Sequence, residues 1–140
     1  MDAPATKADL RTLRQRRERA QDWINYASWT AMGTAALSSV FIVALIIDDP
    51  TITTSATPVL STVFAQGVVG YKLRERSQWA AWGLMATYIA SIATSLLVFN
   101  IWSGIVGKLI VGLVYVRGWL GTMDYVEVTE QIAALSPKAP

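Results

Sequence analysis

Residues 23–47 read WINYASWTAMGTAALSSVFIVALII, bounded by Asp22 on one side and Asp48-Asp49-Pro50 on the other, with no Lys, Arg, Asp or Glu between. An uncharged, mainly apolar run of 18 or more residues has the length of a membrane-crossing helix. Two more uncharged stretches follow, between Pro50 and Lys72 and between Arg76 and Lys108. Across all 140 residues 53% are apolar and 16% charged, against roughly 25% charged in an average soluble domain. The length suits one domain. The first stretch is also too long for the h-region of a cleavable signal, which runs about 7–15 residues. The fold class expected is all-α: an integral membrane four-helix bundle with a basic N-terminal cytoplasmic helix and a short acidic C-terminal amphipathic helix.

Within the first span, 23–47, Ala27, Ala31, Ala35 and Ser39 recur every four residues and form one stripe. Lipid tails are as apolar as leucine, so helices in lipid associate by close packing and small side chains mark the contact face. Asp48-Asp49-Pro50 closes this span, because the residue before proline is pushed out of the helical region. The second span, 52–71, starts with a polar run from Thr51 to Thr57. Two readings stand there: a helix from near Ile52 that crosses with a bend at Pro58, or a short, re-entrant helix from Pro58. Gln66, Gly67 and Gly70 are expected to face other helices, since a buried amide needs a partner in lipid. In the third span, 77–99, Gly83, Thr87, Ala90 and Thr94 form a second small-residue seam, with Leu84, Ile92 and Leu96 pointing elsewhere. Asn100, Ser103 and Gly104 predict a tight hairpin. The fourth span, 105–120, is near the lower length limit of about 17 residues. It carries Lys108 and Arg117 on opposite faces, so a three-span alternative stands beside the four-span reading. Trp23, Tyr71, Trp79, Trp82 and Trp119 fall near one set of span boundaries and Trp102 near the other, where amphipathic rings collect.

Charge sets the expected orientation. Residues 1–22 hold Lys7, Arg11, Arg14, Arg16, Arg17 and Arg19 against Asp2, Asp9, Glu18 and Asp22, and the loop Lys72-Leu73-Arg74-Glu75-Arg76 adds three cations. Between 48 and 58 there is none. Lys and Arg beside a span resist translocation. This places the N-terminus and the 72–76 loop in the cytoplasm and Asp48 and Asp49 outside. Thr6 with Asp9 resembles a helix cap, and 7–22 lacks Pro and Gly, which predicts a helix running into the first span. Its apolar content (Ala8, Leu10, Leu13, Ala20) is thin, so it is expected to lie along lipid headgroups or a partner. Beyond Gly121, Asp124, Glu127 and Glu130 share one side, while Tyr125, Val128, Ile132 and Leu135 recur at 3, 4 and 3, a short amphipathic helix ended by Pro137. Four crossings bring it into the compartment of the basic helix, where the two attract weakly. The organisation expected is a tail and helix at 1–22, a transmembrane domain at 23–121 and a C-terminal tail at 122–140.

Cys and His are both absent, which removes disulfides, thiolate chemistry, zinc sites, His-ligated haem and the commonest catalytic base. No Asp or Glu lies inside a span, which argues against a proton-coupled carrier. Met32 and Met85 read as packing residues, since a lone thioether is a poor ligand for haem or copper. No enzyme, catalytic residue, metal or cofactor is expected beyond bound lipids, and nothing in the sequence supports a pigment. The net charge of +2 is too small to argue for nucleic acid. Lys108 either snorkels to headgroups or serves an anion or proton site in a water-filled groove. Thr87, Ser91, Thr94 and Ser95 either line a polar path or return hydrogen bonds to the preceding turn. Arg11, Arg14, Arg16, Arg17, Arg19, Lys108 and Arg117 are candidate contacts to lipids or partner subunits.

The segments Gly70-Tyr71-Lys72-Leu73-Arg74-Glu75-Arg76-Ser77 and Arg117-Gly118-Trp119-Leu120-Gly121-Thr122-Met123-Asp124-Tyr125 resemble a loose group of small, uncharacterised four-helix bacterial inner-membrane proteins. The resemblance implies a fold and no activity; Val126 stands where that group usually carries His. The expectation is a multi-pass protein of the cytoplasmic (inner) membrane, both termini cytoplasmic. It would be a non-catalytic accessory subunit of a respiratory or photosynthetic type of complex. A small homo-oligomeric channel or transporter using Lys108 is the alternative.

Overall fold

The computed structural model describes residues 7–99 and 105–135. The expected cap at Thr6, the hairpin at Asn100, Ser103 and Gly104 with Trp102, and the stop at Pro137 lie outside those residues. Among the described residues the chain is all-helical: α1 (Lys7–Asp48), a 3-10 turn (Pro50–Ile52), α2 (Thr53–Leu73), α3 (Gln78–Phe99) and α4 (Ile105–Leu135). Three segments are long and apolar enough to cross a membrane, namely α1, the turn with α2, and α4. The sequence of α3 is uncharged over its 22 residues.

The basic segment and the first apolar stretch form one unbroken helix of 42 residues, about 63 Å long at 1.5 Å per residue. It ends where Asp49 turns extended (φ −133°, ψ 93°). The Asp49 carboxylate accepts from the Thr51 amide at 3.0 Å and the Thr51 hydroxyl at 2.6 Å, capping the turn that Pro50 opens. These two donors hold the Asp49 carboxyl below its ordinary pKa. Helix α2 then starts at Thr53, close to Ile52, with Pro58 inside it. Its early hydroxyls fold back, Thr57 onto the Thr53 carbonyl at 2.8 Å and Thr62 onto Pro58 at 2.9 Å. After α2 the chain reverses through Arg76, whose φ of 58° is left-handed and whose amide bonds the Leu73 carbonyl at 2.9 Å.

Neighbouring helices run antiparallel. Ala31 and Ala35 of α1 face Gly70 and Gly67 of α2, and Val69 faces Gly83 of α3. Trp82 meets Trp119, Tyr88 meets Tyr115, and Ala27 meets Gly118 as α4 closes back onto α1. Helix α1 is the hub, packed on both α2 and α4, while α3 and α4 touch least of the four neighbouring pairs. Ile24, Ala27, Ala31, Leu73, Leu84 and Tyr115 form the main core, and Ala35, Ile42, Ala56, Val59 and Val63 a second one between α1 and α2.

Two expectations are corrected. The fourth span and the acidic helix are one continuous α4 of 31 residues. Gly118 and Gly121 are contact points: a β-carbon on Gly118 would collide with that of Ala27, and one on Gly121 would stand 3.0 Å from the Ala20 carbonyl oxygen. Second, the buried face of α3 is Ala80, Ala81 and Leu84, whereas Ala90 is exposed and Thr87 half-buried. Leu84 was expected to point away. Helix α3 is gripped by α2 and α4 on a face turned roughly a quarter-circle, at about 100° per residue, from the Gly83–Ala90 seam.

Candidate functional site

Where all four helices meet, three polar side chains close on one another. Tyr115 of α4 is wholly buried and Gln66 of α2 is 5% exposed. The Gln66 amide donates to the Tyr115 hydroxyl at 2.6 Å and to the Thr34 hydroxyl of α1 at 3.2 Å. Thr34 and Tyr115 hydroxyls stand 2.9 Å apart, and Thr34 reaches the Thr30 carbonyl at 2.8 Å. The set is satisfied when Tyr115 donates to Thr34 and Thr34 donates to Thr30. Tyr88 of α3 packs edge-on to Tyr115 at 5.2 Å and donates its hydroxyl to the Lys108 carbonyl. Gly112 makes room for that phenol; a β-carbon there would take the hydroxyl's place. Buried polar groups bond in this way because an unpartnered one costs about 1–3 kcal/mol.

Beside this cluster, toward the α1–α2 turn, lies a cavity of about 240 Å³. Thr34, Ser38, Gln66, Tyr88, Ser91 and Lys108 give it polar walls, and Ile92 and Val111 apolar ones. Lys108 is half-buried and lines this space. Among the described ion pairs none includes it. Thr87 and Thr94 return their hydroxyls to the preceding turn, onto Gly83 at 2.9 Å and Ala90 at 2.8 Å. Ser91 borders the cavity, and the side chain of Ser95 lies outside what is described.

At the opposite end the charges are matched. Arg16 pairs with Asp124, and Lys72 with Glu75 at 2.8 Å. Arg74 lies 4.9 Å over the Trp29 ring, Arg76 4.8 Å over Tyr125 and Arg117 5.9 Å over Trp23. A groove of about 410 Å³ runs between α1 and α4 here, with Arg16, Arg19 and Arg117 facing Asp124 and Glu127. The first turns of α1 are thus covered by the last turns of the same chain, with Ala20, Thr122 and Val128 buried. Helix α4 is their neighbour within the chain, in line with the weak attraction expected between the basic and acidic helices. Arg11, Arg14, Arg16 and Arg19 remain exposed and Arg17 half-buried.

On the outward face of α1 and α2 lies a third groove, about 410 Å³. Its floor is Ala35, Ala36, Ser39 and Gly67, and its walls include Met32, Phe64, Val68 and Tyr71. The predicted stripe is therefore divided. Ala27 and Ala31 are fully buried within the chain, while Ala35 and half-buried Ser39 border this groove. Among the described residues no group of three His, Cys, Asp or Glu side chains converges on a possible metal position. The sequence reading singled out Gln66 and Lys108 but not Tyr115, Tyr88, Thr34 or Ser38. The signal was present: a phenol in the middle of an apolar helix has the same need for a partner as the amide of Gln66.

Comparison with protein families, with curated proteins and with solved structures returned no match.

Proposed function

We propose that this chain crosses the cytoplasmic membrane four times with both termini inside, and serves as a non-catalytic subunit of a larger membrane assembly of respiratory or photosynthetic type. The orientation rests on charge: the bundle end holding the start of α1, the 72–76 turn and the end of α4 carries the arginines, and the other end carries Asp48 and Asp49. Cations beside a span stay on the cytoplasmic side. The observation that carries the subunit reading is the outward groove of α1 and α2, floored by Ala35, Ala36, Ser39 and Gly67. A floor of small residues facing lipid is the surface on which a further transmembrane helix packs closely. The absence of Cys and His from the sequence favours a structural role over chemistry.

Purification from the native membrane in a mild detergent tests this: stoichiometric partner subunits are expected, and recovery of the chain only with itself rejects it. Ala36→Leu or Ser39→Leu should release those partners. Reporter fusions at Pro50 and Pro140 test the topology; external activity at Pro140 overturns four crossings. A second reading, a small channel or transporter, draws on the cavity beside Lys108. It requires that Lys108→Met abolish flux in reconstituted vesicles, and unchanged flux removes it.

A further inference from the structure

We propose that the cavity beside Lys108 is an anion site that takes a phosphate group, either that of a phospholipid headgroup or free inorganic phosphate. Its walls come from all four helices, with Ser38 on α1, Gln66 on α2, Ser91 on α3 and Lys108 on α4. Lys108 brings an ammonium and Ser38 and Ser91 line the same space, while Thr34, Gln66 and Tyr88 spend their donors within the protein; no Asp or Glu is among the lining residues. Lys108 is the only full charge among those lining residues. A charge held in an apolar bundle is costly and marks a site with a counter-charge to receive. Its three ammonium donors suit phosphate as a point charge.

The fold adds to the same sign. Lys108 is the fourth residue of α4, which begins at Ile105, so the positive end of the helix dipole points to the same region. Lys108 lies about 5 Å inside the start of the helix at 1.5 Å per residue, near one end of the bundle. Tyr88 fixes the neighbouring backbone by bonding the Lys108 carbonyl, and Gln66 is held by Tyr115 and Thr34. The wall is therefore set before a ligand arrives. The volume of about 240 Å³ equals about eight waters at roughly 30 Å³ each, enough for a phosphate group with part of its hydration but too little for a whole lipid. The acyl chains of a lipid donor would remain outside, along α3 and α4.

The test uses the full-length chain purified in phosphate-free nonionic detergent. Inorganic phosphate is titrated by calorimetry, and phosphatidylglycerol binding is counted by native mass spectrometry, with diacylglycerol as the lipid that lacks phosphate. Saturable one-to-one binding of phosphatidylglycerol but not of inorganic phosphate assigns the lipid source; binding of inorganic phosphate assigns the free anion. In either case Lys108→Met should weaken binding about tenfold or more, which is about 1.4 kcal/mol. Lys108→Arg should retain it, and Arg117→Met, at the other end, should leave it unchanged. Ser38→Ala and Ser91→Ala keep the charge and should each weaken binding about threefold, which preserves the test if Lys108→Met does not fold. Binding of neither probe, equal binding of diacylglycerol, or wild-type affinity in Lys108→Met overturns the proposal. The readout is on the isolated chain, so a failure to recover partner subunits leaves it standing.

Discussion

The two ends of this bundle treat positive charge in opposite ways. Where α1 begins and α4 ends, Arg16 has Asp124 and three other arginines lie over Trp29, Tyr125 and Trp23. At the other end Lys108 borders a cavity of hydroxyls and an amide, with no carboxylate in its lining. The difference teaches where to look for structure and where for recognition. Matched surface charges fix register and little else, since exposed pairs contribute about 0–1 kcal/mol. An ammonium left among neutral donors is a demand for an anion.

The largest expected effect breaks the arginine-bearing end. Gly118→Leu drives a side chain into Ala27 where two helix backbones touch. It should destabilise the fold by about 1–3 kcal/mol or more, read as a lower thermal midpoint in detergent. A midpoint equal to wild type would mean that α1 and α4 do not approach there. Next, Tyr115→Phe cuts the link between the two ends. The Gln66 amide loses its 2.6 Å acceptor while buried, at an expected cost of about 1–3 kcal/mol. Phe at Tyr88 keeps the edge-on ring but frees the Lys108 carbonyl, and should cost less than Tyr115→Phe because Tyr88 is only half-buried; an equal or larger loss would invert the ranking.

A smaller effect sharpens the far end. Thr51 donates twice to the Asp49 carboxylate and lowers its pKa. The stabilisation is fully present above the unfolded value of about 3.9 and fades as pH falls through the lower folded value. Carbon-13 titration of the Asp49 carboxyl should give a midpoint below that of a model peptide, and Thr51→Val should raise it; a midpoint at or above the peptide value refutes the cap. The smallest effect concerns Arg16 and Asp124. Exchanging them, Arg16→Asp with Asp124→Arg, should restore whatever Asp124→Arg alone disturbs, in a double-mutant cycle of thermal midpoints.

Much of this architecture is legible in the chain because charge is excluded from apolar spans. The gap from Asp22 to Asp48, the missing Pro and Gly between 7 and 22, and the need of Gln66 for a partner all have counterparts in α1 and in the polar cluster. What is not legible is which face of each helix turns inward. In a soluble bundle polar residues mark the outside; where both faces are apolar that contrast disappears, and Leu84 and Ala90 exchange their expected places. Gly121 carries two meanings for a related reason. In water glycine signals a helix end, but between packed helices it provides closeness, and only the position of Ala20 opposite distinguishes the two. The cavity combines residues from four helices and so has no sequence motif at all.

The unbroken length of α1 carries a mechanical consequence. A helix of 42 residues with no proline inside it lacks the commonest cause of a sharp kink, so a tilt of its tip near Asp48 sweeps its arginine-bearing tip sideways. Over about 63 Å, a tilt of about 5° displaces that tip by about 5 Å, with the last turns of α4 strapped to it. Motion at one surface of the bundle is thereby carried to the other.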